Sequence, residues 1–322
     1  MPARATRTGR LVAVVGILGL GMLALVSMMV GKYGGGPQPL LATVLWNVRL
    51  PRVFAAIVVG AGLAAAGATY QGLFRNPLVS PDLLGVSVGA SLGAVLGIFF
   101  SLPVVAIQLV AFAGGLVAVV LVMSVGALVR ERDPMLTLVL AGIAIQALVG
   151  AGISLIKVLA DPYDQLPAIT YWLLGSMTAI TRFDVLSILP AVVIGLAPLV
   201  LLRWRMNLLT LGEEEARTLG IDTTRTRFVL IGGATLVTAA TVSVTGIIGW
   251  IGLVIPHIAR MLVGPDFRRL LPAAMLFGAA YLLVVDMLAR SIADIEVPLG
   301  ILTATVGAPF FLWLLIAGRR GW

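Results

Sequence analysis

The sequence predicts an all-α, polytopic membrane protein with ten transmembrane helices. Three observations carry this. Of its 322 residues 60% are hydrophobic and 11% charged, outside the range of soluble folds. Apolar runs long enough to cross a hydrocarbon core of about 30 Å, roughly 20 residues each, recur along the chain. All but Lys32 and Lys157 of the 22 basic residues are arginines scattered at the ends of those runs. That is the pattern of membrane topology and not of a nucleic-acid surface, so no nucleic-acid partner is expected. The whole of 1–322 is read as one transmembrane domain carrying one polar segment, 203–227.

The first run, 11–31, follows Arg4, Arg7 and Arg10. It is too long for a signal-peptide core and no Ala-x-Ala site follows, so it is read as a first membrane helix anchored inside. Further clear spans are 53–73, 83–101, 104–129, 135–160, 185–202, 228–245, 270–289 and 299–317. The stretch 246–264 carries Pro256, His257 and Arg260 and reads as a loop or a short, broken tenth span. An even count returns Arg319 and Arg320 to the side of the N-terminal arginines. It also gathers Arg75, Arg130, Arg132, Arg268, Arg269 and the polar segment on that side. Lys32, Arg49, Arg52, Lys157, Arg182 and Arg290 stay outside, which satisfies the positive-inside rule with both termini cytoplasmic.

Gly85, Gly89, Gly93 and Gly97 recur every four residues and predict a smooth face, for close packing or for lining a path. The outer segment 161–177 predicts a short interfacial helix ending near Tyr171 and Trp172, either capping the bundle or lining an external gate.

The polar segment, RWRMNLLTLGEEEARTLGIDTTRTR, is too charged for hydrocarbon, where an ionised side chain costs roughly 2.5–3.5 kcal/mol at mid-depth. Residues 213–219 carry acids in the first turn and lie between Gly212 and Gly220, which predicts a short helix with a glycine stop. The segment reads either as a solvated loop or as a surface gripped by another protein.

Chemistry is sparse. No cysteine is present, and a single histidine builds no metal site. No GxxxxGK[ST] occurs, so nucleotide hydrolysis belongs to another polypeptide. Asp286 is the one intramembrane acid and pairs by spacing with Arg290, although it is also the residue an ion-coupled secondary transporter would use. His257 lacks a nucleophile or carboxylate beside it in sequence and reads as a structural histidine in preference to a catalytic base.

Six stretches in order then resemble one family. They are RLPR at 49–52, FRNPLVSPDLLGVSVGA at 74–90, YWLLGS at 171–176, LGEEEARTLGI at 211–221, GIIGWIGLVIPHIAR at 246–260 and VPLGILTATVGAPFF at 297–311. The chain resembles the FecCD-type permease subunits of type II ATP-binding-cassette importers for iron chelates, haem and cobalamin.

The resemblance implies a homodimer with two ATPase subunits beneath it, holding the ATP and Mg, and a periplasmic or lipid-anchored binding protein above. No cofactor is expected in this chain. The resemblance makes Met206, Leu211, Gly212, Glu213, Ala216, Arg217, Leu219 and Gly220 the ATPase-coupling residues. It also assigns Arg49, Arg52 and Arg290 to binding-protein docking, with lipid-headgroup anchoring as their other reading. Asn76 and Leu78 fall at its cytoplasmic gate, where Asp133, Pro134 and Met135 replace the small hydroxyl residues of relatives. A metal chelate is the implied cargo, iron-siderophore first, in a bacterial cytoplasmic membrane.

Overall fold

Apolar runs become helices because a backbone in hydrocarbon has no water to satisfy it. In the computed structural model, which describes residues 2–31, 42–129 and 134–317, every regular element is helical. The side chains of residues 2–13, 134, 135, 213, 315 and 317 are not among those described. Outside the described residues lie Lys32, Arg130, Arg132, Asp133, Arg319 and Arg320.

Helix α1 spans Pro2–Met29. A π-helical turn, Leu45–Arg49, leads into α2, Leu50–Leu73, and a 3₁₀ turn, Pro81–Leu84, precedes α3, Val86–Phe99. Then come α4, Val104–Leu128, and α5, Pro134–Leu159. The interfacial helix α6, Gln165–Leu173, precedes α7, Arg182–Leu201. Two short helices follow, α8, Arg203–Leu209, and α9, Glu213–Thr218. The chain ends with α10, Thr223–Thr245, α11, Ile251–Val263, α12, Phe267–Ser291, and α13, Leu299–Ala317.

Among the described residues six helices are long and apolar enough to cross a membrane, and four shorter apolar helices accompany them: Val14–Met29, Val86–Phe99, Ile251–Val263 and Leu299–Leu314. The ambiguous stretch 246–264 is thus a short helix, α11, with Pro256 inside it.

Helices α7 and α10 begin earlier than hydropathy suggests, because their caps are polar. Thr181 and Asp184 form a reciprocal capping box at α7, and the Asp222 carboxylate accepts the Arg225 N–H at 2.9 Å to start α10.

The core is built around α2 and α10, whose apolar windows are 78% and 72% buried, whereas that of α5 is 11% buried and shows leucine and valine to the surroundings. Helix α2 packs along α12 so closely that a Cβ on Gly60 would strike the Gly278 carbonyl, and one on Gly278 the Gly60 carbonyl. Helix α3 lies on α4 in the same way, since a Cβ on Gly89 or Gly93 would meet the main chain of Gly114 or Val110. The glycine face is a packing face. Gly85 leaves the pattern: at φ 79° it turns the chain into α3 and is not part of its helical face.

Candidate functional site

At the Ser291 end of α12, charge is buried. Arg52 Nε donates to Asp286 Oδ1 at 2.6 Å, and its Nη1 lies 2.8 Å from Glu296 Oε2. Arg290 Nε lies 3.1 Å from Asp286 Oδ2 across one helical turn. The i,i+4 pairing read from sequence is therefore present, and a second guanidinium from α2 joins it. Arg290 also reaches α1, donating to the Ser27 hydroxyl at 2.9 Å and the Val30 carbonyl at 3.0 Å. Arg49 donates to the Met28 carbonyl at 2.6 Å.

The resemblance assigns Arg49, Arg52 and Arg290 to binding-protein docking, with lipid-headgroup anchoring as their other reading. The structure brings the three together but turns them inward, at 5%, 4% and 9% exposure, around an Asp286 that is fully buried. The reason is energetic: a carboxylate withdrawn from water needs cations and donors on every side. More exposed charge at this end belongs to Arg182, Asp161, Asp164 and Asp294. Glu296, half-buried, accepts from the Thr178 hydroxyl at 2.7 Å and extends the cluster to the loop after α6.

That loop completes a junction of three motifs. Ser176 N–H donates to the Thr245 carbonyl at 2.7 Å, Leu299 N–H to Gly175 at 2.9 Å, and Gly300 N–H to Leu174 at 3.0 Å. Gly175 and Gly246, both at positive φ, sit where a Cβ would strike the Ile247 and Trp172 carbonyls. YWLLGS, the start of GIIGW and VPLG are thus one three-stranded contact of main chain, which their separation in sequence conceals.

At the opposite end of α12 the polar segment forms a bent pair of short helices. Helix α9 ends as the glycine predicts: Gly220 at φ 81° lets Ile221 N–H reach back to the Ala216 carbonyl at 3.1 Å. Ala216 is fully buried, and Met206 and Leu209 of α8 are almost so. These side chains, with Gly212, seat the segment on the bundle; Met206 and Phe267 fill the space a Cβ on Gly72 of α2 would need. Leu211 and Leu219, 61% and 58% exposed, stand out beside Glu214, Glu215, Arg217 and Gly220. The residues expected to couple to an ATPase therefore divide into buried anchors and an exposed tip. The side chain of Glu213 lies outside the described set.

A strut that sequence reasoning missed ties α8 to α12. Asn207 donates through Nδ2 to Asp266 Oδ1 at 2.7 Å and accepts the Phe267 N–H at 2.9 Å. Asp266 is the N-cap of α12 and also accepts the Arg268 N–H at 3.0 Å. Partial burial pushes its carboxyl up. The Arg268 N–H, the Asn207 amide and the charges of Arg268 and Arg269 together outweigh that and hold it below the usual carboxylate range. An aspartate just before two arginines at a helix start is a signal visible in sequence; its partner at Asn207 is not.

The loop holding Asn76 and Leu78 is set by the left-handed Arg75 at φ 49°. Asn76 Oδ1 accepts the Leu78 N–H at 2.9 Å, an Asx turn that leaves the Leu78 side chain exposed. Leu78 lines a tight crevice with Leu253, His257, Phe310 and Leu314. His257 and Phe310 meet edge to face at 6.5 Å between ring centres. The loop expected at the cytoplasmic gate and the histidine, read separately in sequence, thus line one crevice. Asp133, and the side chains of Pro134 and Met135, lie outside the described residues.

With this geometry in view, comparison with known proteins is direct. The model of the FecCD transport family matches residues 10–317. The cobalamin import system permease protein of Halobacterium salinarum is 45% identical over 273 residues, covering 84% of this chain and 73% of its own length. The hemin transport system permease protein of Yersinia pestis is 38% identical over 325 residues, covering 94% and 96%. The molybdate import system permease protein of Haemophilus influenzae is 40% identical, covering 88% and 84%. A solved inward-facing metal-chelate type ABC transporter superposes with a TM-score of 0.89 at 38% identity, covering 95% of this chain and 99% of that one.

Proposed function

The chain belongs to the FecCD transport family, and from that premise we propose that it is the transmembrane permease subunit of a binding-protein-dependent, ATP-driven importer of metal chelates. In this reading ten helices cross a bacterial cytoplasmic membrane and both termini are cytoplasmic. A second copy of the chain completes the path. Two ATPase subunits, which bind ATP and Mg, dock on the 203–227 side, and a substrate-binding protein docks at the opposite end.

The observation that carries the proposal is the built tip of the polar segment. Exposed Leu211 and Leu219 flank exposed Glu214, Glu215 and Arg217, while buried Met206 and Ala216 fix the segment to the bundle. An apolar edge held rigid in water beside charge fits a cleft in another protein. The Asn207–Asp266 strut would pass movement of that tip to α12. Alternating access would then open the crevice at Leu78 and His257, with the Arg52–Asp286–Arg290 cluster as the fixed end.

Docking of the binding protein is assigned to the outer end that Arg49, Arg52 and Arg290 organise. A direct contact by these residues would require their guanidinia to exchange internal partners for acidic ones. Iron-siderophore is the first cargo proposed, then haem or cobalamin. Relatives named for cobalamin, hemin and molybdate share the family, which leaves the choice of cargo to residues beyond the common frame. Use of Asp286 as an ion-coupling carboxylate is disfavoured by its complete burial between two arginines.

The test is co-reconstitution with candidate ATPase subunits in lipid vesicles, comparing wild type with Leu211→Asp, Leu219→Asp. Wild type is expected to form a stable complex with ATP-dependent chelate uptake, and the variant to lose at least about tenfold, the equivalent of roughly 1.4 kcal/mol. Uptake driven by a proton gradient without any ATPase would overturn the reading.

A further inference from the structure

Two clefts flank Trp204, and four arginines line them. The larger, about 560 Å³, lies between the end of α7 and the start of α10; Leu202, Trp204, Arg205, Asp222 and Arg225 line it, together with Leu219 and Gly220 from the tip of the polar segment. The smaller, about 340 Å³, is bounded by Leu201, Arg203, Trp204 and Arg268. Trp204 is the wall between them, with the Arg205 guanidinium carbon 5.3 Å from its ring.

From this arrangement we propose that the clefts form a binding site for the phosphate headgroup of an anionic phospholipid. The proposal rests on the membrane-spanning reading above, and not on the identity of the cargo or of the ATPase. Three observations support it. First, Arg203 Nε and Arg205 Nε are buried yet have no hydrogen-bond partner among the described residues, although Arg203 Nη1 donates to the Val200 carbonyl at 2.6 Å. Buried donors are nearly always satisfied, and these two find no acceptor among the described residues. Second, the lining charge is cationic: the Asp222 carboxylate is the only acid among the residues of either cleft, and it already accepts the Arg225 N–H as the N-cap of α10.

Third, the clefts sit at the boundary between apolar helix and polar segment. Leu201 and Phe228, 70% and 65% exposed, stand at that level on α7 and α10. These apolar shoulders are of no use to free phosphate but suit acyl chains descending from a headgroup. A half-exposed tryptophan at this depth is the usual membrane-interface anchor, and basic pockets between helix ends on the cytoplasmic side are the recognised setting for acidic headgroups. The rival occupant of the same arginines is an acidic segment of the ATPase.

The test uses the full-length protein in nanodiscs of phosphatidylcholine with or without phosphatidylglycerol, with no ATPase present. Retained lipid is counted by native mass spectrometry after detergent release, and the thermal midpoint is recorded in both discs. Wild type is expected to retain phosphatidylglycerol selectively and to gain stability from it. Arg205→Ala, Arg225→Ala should bind it roughly thirtyfold more weakly. Arg269→Ala, exposed and outside both clefts, should match wild type.

An unchanged midpoint of the double variant in phosphatidylcholine alone shows that it folds; should it not, Arg205→Gln alone is read in its place. Equal retention of phosphatidylglycerol by wild type and variant overturns the proposal. So does an equal stabilisation by inorganic phosphate. Because no ATPase is in the assay, such a failure leaves the permease reading untouched.

Discussion

At the Ser291 end of α12, Arg52, Asp286 and Arg290 are withdrawn from water and bonded to one another, to Glu296 and to the main chain of α1. At the Phe267 end, Asp266, Arg268 and Arg269 lie open beside a polar segment whose Leu211, Leu219 and Arg217 also face outward. Both ends are rich in charge. At the first, Arg49, Arg52 and Arg290 are already committed, and removing one partner would strand a buried ion. At the second, charge can be exchanged for a partner's at little cost, because water stabilises it in the interim. One helix therefore carries a fixed end and an exchangeable end, and α2, crossing it at Gly60 and Gly278 without side chains between, makes the connection stiff.

The largest effect is expected at the fixed end. Asp286→Ala leaves the guanidinia of Arg52 and Arg290 buried without their shared carboxylate, a change that typically costs about 3–5 kcal/mol. The thermal midpoint in detergent should fall sharply, and α1 should become more susceptible to proteolysis, since Arg290 would lose its anchor toward Ser27 and Val30. An unchanged midpoint would mean that this end is no more fixed than the other.

Next comes the crossing. Gly278→Leu forces bulk against the Gly60 main chain and Ala64, where overpacking costs about 1–3 kcal/mol. Gly232→Ala, with open space around it, should change the midpoint little and serves as the matched control. In vesicles Gly278→Leu should lower transport per ATP hydrolysed. Equal coupling in the two variants would separate the two ends of α12 mechanically.

A smaller effect belongs to the strut. Asn207→Ala removes two hydrogen bonds, to Asp266 and from Phe267, for about 1 kcal/mol. Complex formation with the ATPase should survive, because the exposed tip is untouched, while ATP-driven uptake should fall. Loss of both together would place Asn207 in the docking surface and not behind it.

The sequence was legible where physics is local. Apolar runs placed the helices, acids and glycines placed α9 between Gly212 and Gly220, and i,i+4 spacing paired Asp286 with Arg290. It was illegible where distant segments meet. Arg52 and Asp286 are 234 residues apart, and Asn207 and Asp266 are 59 apart; neither pair carries a periodic signal. The glycines at 175, 246 and 300 stood in three quoted motifs, yet only the fold shows that they adjoin one main-chain junction. The inward turn of the three arginines was hidden for the same reason: a single sequence locates charge along a helix, but its burial depends on what else arrives.

The smallest effect separates the two ends by pH. Asp266 has a depressed folded-state pKa, so its contribution is fully present above the unfolded value of about 3.9 and is lost as pH falls through the folded value. Wild type should therefore lose a small part of its thermal stability below about pH 4 that Asp266→Asn, which cannot titrate there, does not lose. The variant's midpoint should be slightly lower at neutral pH and its acid limb shallower. Asn207→Ala should move the wild-type limb to higher pH, because one of the groups holding the carboxylate charged is gone. Superposable acid limbs for all three proteins would show that Asp266 is held by solvent alone, and the exchangeable end of α12 would then begin at the helix cap itself.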